Sequence, residues 1–257
     1  MTSHLPPQTD AFTDAALADR VRALEAECAA LRAEHATLAL GLSHDLRAPL
    51  RTIDSFAYLV EQRSGDALDD TARDHLRRVR DAGARIARLT ARLQAYLNAG
   101  SAPMQRAPVD LTLLADWCVA ELRDARPARD ADIAIAPGLQ AIGDERLLKT
   151  ALHELLHNAW TYARPDAPVA LRIDGERTPD GMRLHIRDAG IGFDMQHAGK
   201  LGEPFQRLHA ADFPNGAGLG LAIARRILAR HGGTLALEGV PNGGVHVQAW
   251  LPDGDAS

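Results

Sequence analysis

The chain has 257 residues, 46% hydrophobic and 25% charged, with a formal net charge of −5. That composition suits an ordinary folded protein with material for a substantial core, and the acidic balance argues against a nucleic-acid binder. The two cysteines, Cys28 and Cys118, match no metal or redox spacing, no run of roughly 18 or more apolar residues offers a membrane span, and MTSHLPPQTD lacks the basic-then-apolar order of a signal peptide, so a cytoplasmic protein with packed thiols is expected.

Residues 1–11 read as a disordered tail. Over 12–41, Leu17, Val21, Leu24, Cys28, Leu31, His35, Leu38 and Leu42 recur at alternating spacings of four and three, the seam of a coiled coil. Arg22, Glu25, Glu27 and Arg32 supply flanking charge, and the pattern predicts a parallel dimer. After Leu38 the spacing becomes four and four through Leu42, Leu46 and Leu50. Such a stutter unwinds a supercoil locally, and Pro49 predicts a bend nearby.

Residues 42–98 carry two amphipathic stripes. The first runs through Leu42, Leu46, Leu50, Ile53, Ala57 and Val60 and contains Ser43-His44-Asp45-Leu46-Arg47-Ala48-Pro49-Leu50. At about 100° per residue, His44 lies roughly 160–200° from Leu42 and Leu46, on the solvent side. Arg63-Ser64-Gly65-Asp66 ends this helix, and Asp69 or Asp70 caps a second carrying Leu76, Val79, Gly83, Ile86, Thr90, Leu93 and Leu97. One hairpin cannot bury both stripes; two make a dimeric four-helix bundle. Arg77, Arg78, Arg80, Arg85, Arg88 and Arg92 read as a solvated face or a docking surface for an acidic partner.

Asn98 to Pro103 reads as the domain boundary, with a linker over 99–106. In 107–257 the pattern changes. Asp110 caps a helix to about Asp124, and Asp144 opens a strong helix to about Ala163. Ile133–Ile135, 169–173, 182–186, 234–239 and 244–251 read as strands, and a further helix runs from about Leu219 to Arg230. Helices with mostly antiparallel strands predict a two-layer α/β sandwich, making the whole chain α+β and multidomain.

Four stretches of this second part carry chemistry. Asp188-Ala189-Gly190-Ile191-Gly192-Phe193 sets an aspartate at a strand end before two glycines that permit close backbone approach. Gly216-Ala217-Gly218-Leu219-Gly220 runs into a helix, where amide groups and the helix dipole favour a phosphate. Glu154 and Asn158 lie one helical turn apart and offer oxygen ligands to Mg²⁺. His153 and His157 do not have the His-Glu-x-x-His zinc spacing. Glu203 to His209 lies in a segment of about 25 residues between the glycine clusters, long enough to be a functional lid.

In this order and spacing, these stretches resemble the sensor histidine kinases of two-component signalling, from about Leu40 to Pro252, and the wording around His44 and Phe205 resembles the subgroup of bacterial phytochrome kinases. Ser43–Leu50 looks like the phospho-acceptor box, Glu154–Tyr162 the N box, Asp188–Phe193 and Gly216–Gly220 the two glycine boxes, and Pro204-Phe205 the F box. The resemblance implies a dimerisation and phosphotransfer hairpin followed by an ATP-binding domain of the Bergerat type, shared with gyrase and a heat-shock chaperone. It implies that His44 attacks the γ-phosphate of ATP as a neutral imidazole with Asp45 beside it. Asp188 would receive the adenine amino group, Asn158 would hold Mg²⁺, Gly216, Gly218, Leu219 and Gly220 would border the phosphates, and Arg207 would neutralise charge from the lid. Tyr162, Gly190, Gly192 and Phe205 complete the nucleotide set. The phosphoryl group would pass to an aspartate of a separate response-regulator receiver, and the signal would enter through the first helix from an upstream sensor domain or partner protein.

Three positions depart from that pattern. Glu154 stands where the family commonly has asparagine, which resembles the related ATPases that activate water with a glutamate. Thr161 stands where lysine is common, leaving Arg207 or Arg164 to replace its charge. Ala48, four residues after His44, replaces the threonine or asparagine that positions water, so weak phosphatase activity is expected. An ATP-binding scaffold without kinase activity and an ATPase remain the two other readings.

Overall fold

The structure, a computed structural model, describes residues 10–64, 67–206, 208 and 217–254. Helix α1 (Asp10–Ser64) continues through Pro49. At about 1.5 Å per residue it is roughly 80 Å long. Its early seam residues Leu17, Val21 and Leu24 are exposed; the later seam side chains, Cys28 to Leu42, and the tail at 1–9 lie outside what is described. Helix α2 (Asp70–Ser101) starts on Asp69, whose carboxylate accepts the Ala72 N–H at 2.7 Å, as a short acidic side chain should at an N-cap.

The hairpin closes over few buried residues, among them Leu50, Ala57, Gly83 and Thr90. Arg80 bridges it by donating to Asp54 at 3.4 Å and pairing with Glu61. Leu46, Ile53, Phe56, Leu59, Val60, Val79, Ile86 and Leu89 stay exposed. One copy therefore leaves most of both stripes in water, which is unfavourable for so much contiguous apolar surface.

The expected linker is partly helical: α2 continues through Asn98 to Ser101. The reason is tertiary. Leu97 and Ala99 are buried, and Arg230 donates to the carbonyls of Ala99 at 3.1 Å and Ala102 at 2.6 Å. The carbonyls that a free helix end leaves without partners are thus satisfied from outside. Only Ala102 to Arg106 connects onward without regular structure.

Strand β1 (Ala107–Asp110) pairs antiparallel with β3 (Gln140–Gly143) in a two-stranded ribbon. Helix α3 (Leu111–Ala125) follows β1, capped by Asp110, and α4 (Glu145–Thr161) follows β3, capped by Asp144. The main sheet has order β2-β4-β5-β7-β6, with β2 (Ala131–Ile135), β4 (Val169–Thr178), β5 (Gly181–Asp188), β6 (Thr234–Val240) and β7 (Gly244–Pro252). Only β2 runs parallel to its neighbour, β4; the other pairings are antiparallel.

Period-two alternation puts Leu171, Ile173, Leu184, Ile186, Val247 and Ala249 on one face, buried against α3, α4 and α5 (Gly220–Arg230). The opposite face is polar, with Arg187–Asp174 at 2.5 Å and Arg183–Glu176 at 2.7 Å across strands. This is the predicted two-layer sandwich. The β1–β3 ribbon was not anticipated, because four-residue strands show too few periods to read. Within the long segment after Phe193, Met195–Lys200 forms a 3₁₀ turn capped by Asp194.

Candidate functional site

A cleft opens where the C-terminal half of α4, the end of β5 and the start of α5 meet, with Leu155, Ile186, Leu219 and Val247 on its apolar floor. It encloses about 1150 Å³ of non-protein space, open solvent at its mouth included. Asn158, Tyr162, Asp188, Gly192, Gly218, Leu219 and Gly220 all line it. The sequence predicted each of them, from stretches up to sixty residues apart.

Asp188 ends β5 with a half-buried side chain. Its Oδ1 accepts the Gly190 N–H at 2.8 Å and the Val245 N–H at 3.2 Å. Burial pushes its carboxyl above the usual range, and these two bonds pull it back. Gly190 stands behind this group, where a Cβ would meet the Tyr162 carbonyl oxygen at 2.5 Å. Gly192 has φ of 59°, and a Cβ there would run into the Val240 carbonyl. The first glycine cluster is therefore needed for close packing as well as for the cleft wall.

Helix α5 differs from α2, α3 and α4 at its start. Asp69, Asp110 and Asp144 cap α2, α3 and α4 through side-chain oxygens, whereas Leu219 gives α5 no side-chain cap. Gly218, with φ of 68°, turns the chain into it. Among the described residues no side chain supplies an acceptor at this cap, and the first residues of α5 line the cleft. This is the usual setting for a phosphate.

Glu154 is 5% exposed, and its Oε1 pairs with Arg92 from α2. Its Oε2 is buried without a hydrogen-bond partner among the described residues. A Cβ on Gly220 would sit 2.7 Å from that Oε2 and 3.5 Å from the Asn158 Oδ1, so the three residues adjoin. An orphaned carboxylate oxygen beside an amide oxygen fits a hard cation. Among the described residues no group of three or more His, Cys, Asp or Glu could hold a metal, so phosphate and water oxygens would have to complete its shell.

Two ionisable side chains that line the cleft, Arg92 and His157, were not predicted there. Arg92 belongs to the run expected as a solvated face or a docking surface for an acidic partner, and only the docking of α2 brings it to the cleft. The Arg226 guanidinium stacks 4.6 Å from the Tyr96 ring centre and helps to hold that docking. His157 lines the cleft next to the Thr161 hydroxyl, 3.5 Å from its Nδ1. Burial, then the charges of Arg92, His153 and Arg126, lower its pKa to about 4.

Phe205 falls outside the cleft. It is 56% exposed, with φ of 66°, and its N–H donates to the Gly218 carbonyl at 2.9 Å. Its backbone thus joins the lid segment to the second glycine cluster, while Gln206 and Leu208 reach the cleft instead. Arg164 donates to the Asn242 carbonyl and does not line the cleft. Arg207 and Gly216 lie outside the described residues, as does the side chain of His44. The His44 backbone is helical within α1, and Asp45 is exposed. No described helix is long and apolar enough to cross a membrane.

Residues 143–255 match the family described as "Histidine kinase-, DNA gyrase B-, and HSP90-like ATPase". Over 213 residues the chain is 29% identical to the phytochrome-like protein Cph1 of Synechocystis, covering 83% of this chain and 28% of Cph1. It is also 29% identical to the phosphate regulon sensor protein PhoR of Pseudomonas aeruginosa, covering 79% of this chain and 46% of PhoR. Among solved structures, full-length ShkA in complex with AMPPNP superposes with a TM-score of 0.64 at 25% identity, over 85% of this chain and 46% of ShkA. The chain therefore spans less than half the length of these relatives.

Proposed function

We propose that the chain, whose residues 143–255 match the histidine kinase-, gyrase B- and HSP90-like ATPases and which is similar to the sensor proteins above, is an ATP-dependent protein histidine kinase. In this reading it phosphorylates itself on His44 and passes the phosphoryl group to an aspartate of a separate response regulator. The observation that carries the reading is the uncapped start of α5, facing Asn158 and Asp188 across one cleft. Asp188 would take the adenine end, and the amides of Gly218 to Gly220 the phosphates.

The His44 imidazole nitrogen attacks the γ-phosphorus. The N–P bond forms as the bond from phosphorus to the bridging oxygen breaks, and ADP leaves with that oxygen's electron pair. Asp45 orients the ring and accepts the proton of its other nitrogen. A bound Mg²⁺ would neutralise phosphate charge, with Asn158 and Glu154 as its protein ligands. The exposed stripes of α1 and α2 support a dimer through the hairpin and coiled coil. A sensor domain or sensor protein upstream of α1 and a cytoplasmic setting complete the proposal. With Ala48 four residues after His44, the protein would be a weak phosphatase; rapid dephosphorylation of its receiver in the presence of ADP would contradict that.

The experiment is incubation with γ-labelled ATP and Mg²⁺, beside His44→Gln. Acid-labile, alkali-stable label on the wild type alone is expected. Nucleotide binding without label would mark a scaffold, and phosphate release unaffected by His44→Gln would mark an ATPase.

A further inference from the structure

We propose that Arg92 gates the nucleotide site: its pairing with Glu154 and the binding of a magnesium–nucleotide at Glu154 and Asn158 exclude each other. The inference rests on the nucleotide-site reading above, and adds to it a residue of the phosphotransfer hairpin that sets affinity.

The argument begins with one carboxylate. Glu154 is buried, so its charge needs a cation nearby. Among the described residues Arg92 meets that need through Oε1, leaving Oε2 without a partner, behind the residues that line the cleft and against the Gly220 backbone where the phosphate cradle starts. A fork-shaped guanidinium that contacts one oxygen forgoes the two-bond geometry in which it binds carboxylates best. A divalent cation arriving with a triphosphate would be held by the oxygen that Arg92 leaves unused. It would also repel the guanidinium, because two cations at one buried carboxylate oppose each other at short range. Among the described residues that line the cleft, Arg92 is the one arginine or lysine, so the competition concerns a single side chain.

Arg92 does not belong to the catalytic part. It lies on α2, one turn before Tyr96, which stacks with Arg226, and less than two turns before Leu97 and Ala99, which are buried against α5. The Arg92–Glu154 pair is thus the link of the docked helix nearest the cleft. Removing it by ligand binding weakens the hold of the catalytic part on α2, while the Arg230 bonds to Ala99 and Ala102 remain as a tether. Coupling of this kind is reciprocal: whatever loosens α2 raises nucleotide affinity, and nucleotide loosens α2 by the same factor.

The test titrates Mg²⁺ and ADP into the full chain, wild type and Arg92→Gln, and follows amide hydrogen exchange over residues 92–106. Arg92→Gln is expected to bind Mg²⁺·ADP about tenfold more tightly, within the usual range of such coupling, and at lower Mg²⁺. Exchange over 92–106 should quicken in the wild type when Mg²⁺·ADP binds and be fast in the variant from the start. Weaker or unchanged binding by Arg92→Gln overturns the gate and makes Arg92 a phosphate ligand or a bystander, with the nucleotide site intact. Slowed exchange on binding also overturns it. No binding by either protein overturns the nucleotide site and the gate together. If Arg92→Gln fails to fold, Arg92→Lys replaces it: a single ammonium holds Glu154 less well, so a gain of a few-fold is expected, and equal or lower affinity overturns the proposal.

Discussion

The carboxylate of Asp188 accepts the backbone N–H of Val245 at 3.2 Å, which ties the end of β5 to the start of β7 beneath the cleft. The same oxygen accepts Gly190 N–H. Asp188→Asn keeps an acceptor for both amides and loses only the charge and one acceptor oxygen. A hydrogen bond to a charged group contributes about 1.5–3 kcal/mol, so ATP affinity should fall roughly 10- to 100-fold by calorimetry, with the thermal unfolding curve retained. Unchanged affinity would remove Asp188 from the binding site.

Acid should destabilise the fold well above the carboxylate range. His231 is fully buried; the Asp144 N–H donates to its Nε2 at 3.0 Å, so the proton sits on Nδ1, which bonds the Ile227 carbonyl at 2.8 Å. Both ring nitrogens are used, and burial holds the group below its usual pKa. His157 is lowered from 6.5 to about 4. Between those values the unfolded chain binds more protons than the folded one, so stability is complete above about pH 6.5 and falls as pH drops towards 4. Urea midpoints at pH 7.5, 6.0 and 5.0 should decline in that order, and His157→Gln should decline less.

The hairpin should dimerise through its open stripes. Leu46, Ile53 and Val60 recur at heptad spacing on α1 and are 37%, 45% and 44% exposed. Burying such a side chain contributes about 1.5–3 kcal/mol, and a charge in its place adds a desolvation cost. Ile53→Asp with Val60→Asp should convert a dimer to a monomer at micromolar concentration by sedimentation. A wild-type monomer would refute the bundle outright.

Cys118 should be inert to thiol reagents. It has no exposed surface, and burial, reinforced by Glu121, raises its pKa to about 11. Its thiolate is therefore scarce at neutral pH. In a Cys28→Ser background, a disulfide reagent at pH 7.5 should label nothing until the protein is unfolded; rapid labelling of the folded protein would contradict the packing around α3.

Much of this molecule was legible in the residues. Asp69, Asp110 and Asp144 mark helix starts because capping is a contact three residues long. The sheet faces follow from alternation, and the two glycine clusters, Asp188 and Asn158 mark the cleft because each lies in a short motif with its own local chemistry. What sequence could not supply is contact between distant elements. Asn98–Ser101 became helix because Arg230 caps it from α5, and β2 found a parallel neighbour in β4 across more than thirty residues. Phe205 left the cleft because its backbone, rather than its ring, meets the Gly218 carbonyl. Arg92, indistinguishable along the helix from six other arginines, acquires its place only because α2 docks on α5 and so carries one guanidinium to Glu154. Periodicity and capping depend on residues within a turn or two, and chain order records them; a charge pair sixty-two residues apart depends on how whole elements pack, which only the tertiary structure decides.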